Sequence, residues 1–169
     1  MTNIALNYKT FLVKIVVLAI GKTDENWIQE GIEKYSKRLK HYVSFDFQTI
    51  PDLKNRKNLS ENQQKEQEGD LILKQLQNTD ELILLDEKGK DFSSRNFAQF
   101  LQQKMNLGTK RLVFVIGGPY GFSEALYSKA STKISLSKMT FSHQMIRPFF
   151  AEQLYRAFSI LNNEPYHHD

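Results

Sequence analysis

Strand-like and helical hydrophobic patterns alternate along this chain, and that alternation restricts the fold more than any single motif. Residues 12–20 are apolar apart from Lys14 and read as a buried strand. Val43, Phe45 and Phe47 alternate with Ser44, Asp46 and Gln48, the period of a half-exposed strand. Residues 82–86, 112–116 and 134–137 supply three more runs. Between them Ile28, Ile32, Tyr35 and Leu39 fall at helical spacing, as do Phe97, Leu101 and Met105. Segment 60–77 is predicted to be an exposed helix that touches the core only around Leu71, Ile72 and Leu76. Phe150, Leu154, Phe158 and Leu161 make the strongest amphipathic stripe, on the last helix. The expected architecture is α/β, with a mostly parallel sheet between helices. Ligands of such sheets sit beyond the carboxyl ends of the strands. Here those ends are Leu85-Asp86, Gly117-Gly118 and Ser137-Lys138.

Composition narrows the chemistry. The 169 residues favour one domain, expected over 13–169, with 1–12 as an N-terminal extension of uncertain order. There is no cysteine, which excludes disulfides, thiolate catalysis and thiolate metal sites. Residues 11–20 are too short and too charged at Lys14 to span a bilayer, so the expectation is a cytoplasmic protein without a membrane partner. The net charge is only +4, with the excess base in the N-terminal and C-terminal thirds. That balance permits an RNA partner without demanding one.

Familiar nucleotide motifs fail on spacing. Gly21-Lys22-Thr23 follows the first strand, but a P-loop needs glycine where Val16 stands. Gly117-Gly118-Pro119-Tyr120-Gly121 is not the dinucleotide fingerprint, because its spacing is wrong and no acidic partner follows at the required distance. A plain turn would account for it, yet its glycines also clear side chains from a strand end where a ligand could reach the backbone. Leu136-Ser137-Lys138-Met139-Thr140-Phe141 alternates polar and apolar residues, offering backbone groups between apolar walls as an adenine ring needs. His143 and Arg147 share a face if the last helix begins near Ser142, whereas a start at Pro148 leaves both in a loop. Tyr155 and Arg156 lie on that helix, and Tyr166, His167 and His168 form a terminal cluster of a kind that usually frays. No further ligand stands at metal spacing, and no Ser–His–Asp order supports hydrolysis.

Three stretches, FVIGGPYG, ISLSKMTFSHQMIRPFFAEQLYRAF and NNEPYHH, resemble the RlmH family. Those are bacterial ribosomal large subunit pseudouridine N3-methyltransferases of the SPOUT class. VKIVVLAIGK and ILLDEKGK extend the likeness from Val13 to the C-terminus. The resemblance implies S-adenosylmethionine as methyl donor, S-adenosylhomocysteine as product and no metal. It further implies a C-terminal trefoil knot, a homodimer, and a substrate in helix 69 of 23S rRNA within assembled ribosomes. By the same resemblance Leu85, Gly117, Gly118, Leu136, Ser137, Lys138, Met139, Thr140 and Phe141 would hold the donor. Tyr155, Arg147, Arg156, Tyr166, His167 and His168 would meet the RNA, and His143, Arg147, Arg156, Tyr166 and His167 would serve catalysis.

The acceptor nitrogen is an imide that carries a proton at neutral pH. A histidine could remove it, or an arginine or lysine could stabilise the anion instead; the residues leave both open. Three other readings also stay open: a methyltransferase of the same class acting on another RNA such as tRNA, a noncatalytic ribosome-associated binding protein, and a nucleotide-binding regulator using the glycine loop.

Overall fold

The computed structural model describes residues 13–168, so the extension at 1–12 lies outside the described residues. Five strands, β1 (Lys14–Ile20), β2 (Ser44–Ile50), β3 (Glu81–Asp91), β4 (Arg111–Ile116) and β5 (Thr132–Ser135), form one sheet in the order β2-β1-β4-β3-β5. Every ladder is parallel. The connecting helices are α1 (Asn26–Leu39), α2 (Glu61–Leu73), α3 (Ser94–Asn106) and α4 (Glu124–Lys129), with α5 (Ile146–Leu161) after the last strand.

Parallel strands covered on both faces need apolar residues at every position. In β1, Ile15, Val17 and Ala19 pack towards α3 and α5, whereas Val16, Leu18 and Ile20 pack towards α2 and α4. The same division runs through β4, with Leu112, Phe114 and Ile116 on one side and Val113 and Val115 on the other. Serine caps start three helices: the side chains of Ser60, Ser93 and Ser123 accept from Gln63, Asn96 and Leu126 N–H.

Four elements differ from the sequence expectation: α2 buries Gln64, Glu68 and Gly69 beside Ile72, β5 covers Thr132–Ser135 rather than 134–137, and α4 and β3 also depart from it. Helix α4 has one buried residue, Leu126, too little periodicity to show in the sequence. Strand β3 runs five residues further than the expected end at Asp86, across an irregularity in its pairing with β5 between Leu85 and Lys90. Gly89 makes this return feasible, because a Cβ there would lie 2.6 Å from the backbone of Ile134.

The start of α5 settles the two alternatives for Pro148. The helix begins at Ile146, after a turn closed by Ser142, whose Oγ accepts from Met145 N–H at 3.1 Å. Pro148 therefore lies in the first turn, where its missing N–H leaves no gap and no kink is required. Its ring fits against Gly31 of α1, where a Cβ would come within 3.3 Å.

Arg147 is wholly buried, at 0% exposure. Its Nη2 donates to Ile20 O at 2.6 Å, and its Nη1 to Gly21 O and Thr23 Oγ1, each at 3.0 Å. Its Nε donates to His143 O at 3.0 Å. Gln144 adds two bonds to the same segment, donating to Lys22 O at 2.9 Å and accepting from Asp24 N–H at 3.1 Å. The carboxyl end of β1 and the entry to α5 are thus one hydrogen-bonded unit. Replacing Arg147 by Met should cost about 3 kcal/mol in urea unfolding, since it strands buried carbonyls. Lysine should not restore the loss, because one ammonium cannot span acceptors on two segments as the guanidinium fork does.

Candidate active site

A cavity of about 400 Å³ opens beyond the carboxyl ends of β4 and β5, beside the middle of β3. Its walls come from three segments: residues 85–88 within β3, residues 116–122 at the end of β4, and Ile134, Leu136, Ser137 and residues 139–141 with His143 and Ile146 around and after β5. Such a volume lies within the ~300–1,000 Å³ typical of small-molecule sites.

The β4 segment is shaped by what lies beneath it. A Cβ on Gly117 would meet the Phe122 ring at 3.0 Å, and one on Gly118 would meet Glu68 Oε2 at 2.5 Å. Only glycine lets this backbone settle so low, and Gly118 O accepts from Gly121 N–H at 3.3 Å to close the turn. The bend after β5 is held by serines. Ser135 Oγ donates to Ser137 O at 3.0 Å, and Ser137 Oγ accepts from Met139 N–H at 2.9 Å. Across the cavity the Tyr127 hydroxyl donates to Asp86 Oδ2 at 2.6 Å, tying α4 to the middle of β3. Burial first, and then the Asp86 carboxylate, push the Tyr127 pKa up to about 12, so it stays a donor at neutral pH.

Glu68 is an acid under the floor of the site. It is 4% exposed; Oε1 accepts from Gln64 Nε2 at 2.8 Å, and Oε2 has no partner among the described residues. Burial raises its pKa above the ordinary carboxylate value, against the opposing pull of Gln64.

Most residues expected to hold a donor line this cavity: Leu85, Gly117, Gly118, Leu136, Ser137, Met139, Thr140 and Phe141. Lys138 does not. Its exposed ammonium pairs with Asp91 at 2.8 Å, which places the side chain away from the cavity. His143 lines the cavity, and its pKa is lowered, first by burial and then by the Arg147 charge, so its imidazole is neutral at pH 7. Arg147 is placed quite differently from the expectation that it meets RNA. Its donors go to three backbone carbonyls and the Thr23 hydroxyl, so it positions His143 and the end of β1. Asp86, Tyr120, Phe122 and Tyr127 also line the cavity, and of these only Asp86 and Tyr120 stood in segments the sequence singled out.

The terminal cluster is docked and forms a separate group. Tyr166 OH donates to Glu152 Oε1 at 3.0 Å, and its ring lies 4.7 Å from both the Tyr155 ring and the Arg156 guanidinium carbon. Arg156 Nη2 donates to the same Glu152 oxygen at 2.5 Å, and its Nη1 lies 3.4 Å from His167 Nδ1. Glu164 adds an anchor by accepting from Tyr42 OH at 2.5 Å, and His168 is exposed. None of Tyr155, Arg156, Tyr166, His167 and His168 lines the cavity. Arg156 is ten residues beyond Ile146 on α5, roughly 15 Å along the helix axis. No group of three or more His, Asp or Glu among the described residues could hold a metal ion. No helix among them is long and apolar enough to cross a membrane.

Fold and cavity together define an α/β protein of the kind that receives a small molecule beyond parallel strand ends. The chain belongs to the SPOUT methyltransferase family: the family described as "Predicted SPOUT methyltransferase" matches residues 13–167. It is 65% identical over 156 residues to a protein of Flavobacterium johnsoniae, covering 92% of this chain and 99% of that one. It is 64% identical over 157 residues to a protein of Parabacteroides distasonis, covering 93% and 100%. Both relatives are named ribosomal RNA large subunit methyltransferase H. In fold it is similar to a probable methylase family protein from Haemophilus influenzae, with a TM-score of 0.51 at 13% identity over 94% of this chain and 72% of that one.

Glu68 has a measurable signature. A carboxyl with a raised folded-state pKa contributes stability below its unfolded value and loses it as pH rises through the shifted one. Unfolding midpoints followed upward from the ordinary carboxylate range should therefore fall more steeply for the native protein than for Glu68→Gln. Parallel profiles would show that Glu68 ionises freely in the fold.

Proposed function

We propose that this chain transfers a methyl group from S-adenosylmethionine to N3 of a pseudouridine in helix 69 of 23S rRNA, within the assembled ribosome. The strand-end cavity carries the reading, because it supplies what an adenosyl ligand requires. Its glycine backbone at 117–118 lies open, its walls at Leu85, Ile116, Leu136 and Ile146 are apolar, and its volume suits a molecule of that size. The name shared by relatives about two-thirds identical supports an RNA of the large subunit as acceptor. The choice of base and helix rests on the motif resemblance, as does the trefoil knot.

The donor supplies an already activated methyl carbon and leaves as S-adenosylhomocysteine. This chain's residues must then hold the acceptor at near-attack distance, about 3–3.5 Å, and deal with the N3 proton. His143 is neutral at physiological pH and is the imidazole at the cavity, so it is the group to accept that proton. Arg147 holds it in place through the His143 carbonyl. Arg156, Tyr155, Tyr166, His167 and His168 contribute from a different surface, where Arg156 suits a phosphate and the tyrosines suit a splayed base.

The separation of tail and cavity favours a homodimer, in which one subunit's tail approaches the other's cavity. Exposed Met139, Phe141 and Phe149 beside the cavity, with Phe141 and Phe149 rings 5.4 Å apart, offer an apolar surface for that contact. A small protein of modest charge would take its remaining RNA contacts from the assembled particle, which places it in the cytoplasm with ribosomes.

A labelled-donor assay on purified ribosomes tests the reading, with mass spectrometry locating the product. Truncation before Tyr166 should leave donor binding unchanged and abolish transfer; wild-type transfer would remove the tail from catalysis. His143→Gln should lower kcat by about 10²–10⁴, the range of a lost general base. In the native enzyme kcat should fall as pH drops below the ordinary imidazole value of 6.5, through the lowered pKa of His143. A modification outside helix 69, or equal transfer to protein-free 23S rRNA, would overturn the assignment of substrate.

A further inference from the structure

Gly118, Pro119, Tyr120 and His143 face two cavities at once. Behind the glycine segment a second cavity of about 320 Å³ opens towards the turn after β2, lined also by Ile20, Asp52, Arg56, Lys57 and Gln64. We propose that this second cavity receives the acceptor nucleotide, with its uracil-type ring against Tyr120 and His143 and its phosphate at Arg56 and Lys57. The inference rests on the methyl-transfer reading and deepens it by naming where the acceptor enters.

Geometry is the first argument. Methyl transfer needs the donor methyl and the acceptor nitrogen in direct contact, at about 3–3.5 Å with no protein atom between them. The two cavities adjoin along the four residues they have in common, where a ring in one can meet a methyl group in the other, and His143 is the titratable imidazole among them. Volume agrees, since about 320 Å³ lies at the lower end of the ~300–1,000 Å³ range for small-molecule sites and suits one nucleotide rather than a helix.

Chemistry is the second argument. Tyr120 is 44% exposed, an aromatic face on which a base extruded from an RNA loop can stack. Arg56 and Lys57 are exposed cations on one short turn, Arg56–Asn58, preceded by Asn55 in the left-handed region with φ 61°. Asp52 also lines the cavity and accepts from Arg56 Nη1 at 2.9 Å. One carboxylate against two cations leaves a net positive wall, and its bond orients the guanidinium fork. Arg147 cannot take this part, because its nitrogens are held by the ends of β1 and the His143 turn. The Gln64 amide lines the same cavity and is held by Glu68 beneath the glycine segment. It is placed to meet a carbonyl or imide edge of the ring.

The test compares native protein with Arg56→Ala/Lys57→Ala, Tyr120→Ala and Tyr120→Phe. Donor affinity is measured by calorimetry with S-adenosylmethionine, and transfer to ribosomes lacking the modification is measured over a series of salt concentrations. The double variant should bind donor within about twofold of native protein while KM for ribosomes rises about tenfold or more, as for lost phosphate contacts. Its log–log salt dependence should become shallower by about one to two units. Tyr120→Phe should keep the native KM and Tyr120→Ala should raise it. Donor affinity falling in step with transfer in the double variant would assign the second cavity to the donor and overturn the proposal. So would an unchanged KM and salt slope. Native protein that neither binds donor nor transfers methyl would instead bring down the methyl-transfer reading, and this inference with it.

Discussion

Everything at the carboxyl edge of the sheet depends on one buried guanidinium. Arg147 brings the carbonyls of Ile20 and Gly21, the Thr23 hydroxyl and the His143 carbonyl to a single point. A buried charge is tolerated only when its donors are matched, and here they are matched by oxygens from two distant segments. The consequence is mechanical. The turn bearing His143 cannot shift without moving the end of β1, so both cavities share one rigid corner.

Around that corner the site divides its work between backbone and side chain. Glycine lowers the β4 segment onto Phe122 and Glu68, serine hydroxyls hold the β5 bend, and Tyr127 ties α4 to Asp86. Each device fixes a loop from below, leaving its upper surface for a ligand. Glu68 fits this pattern as a buried acid whose ionisation is opposed by burial, under the segment that must stay in place. The tail works on other terms. Tyr166 and Arg156 converge on the single carboxylate of Glu152, which holds an otherwise exposed end against α5.

The sheet and most of its helices were legible in the sequence because periodicity is a local signal. Apolar residues at every position of β1 and β4 announced strands buried on both faces, and the stripe on α5 announced its packing side. The candidate cavity was legible for a related reason: strand ends and glycine-rich bends are visible in a linear reading, and parallel sheets bind ligands there. The Arg147 clamp was not legible, since an arginine that meets phosphate and one that clamps backbone are the same letter. The Lys138 side chain was not legible either, because its pairing with Asp91 depends on the late return of β3. Tyr127, Phe122 and Glu68 gave no warning at all. Their roles arise from segments that approach only when α2 and α4 close over the sheet.

By itself the sequence determined which stretches are strand or helix, that the strands run parallel between helical layers, and which loops gather at one edge. Those properties follow from side-chain spacing and from steric preferences acting over a few residues. Tertiary structure alone decided which polar groups are buried, which cations are spent on backbone, and that the glycine segment borders two cavities. Burial and hydrogen-bond satisfaction are properties of segments brought together from far apart in the chain, and no local pattern encodes them.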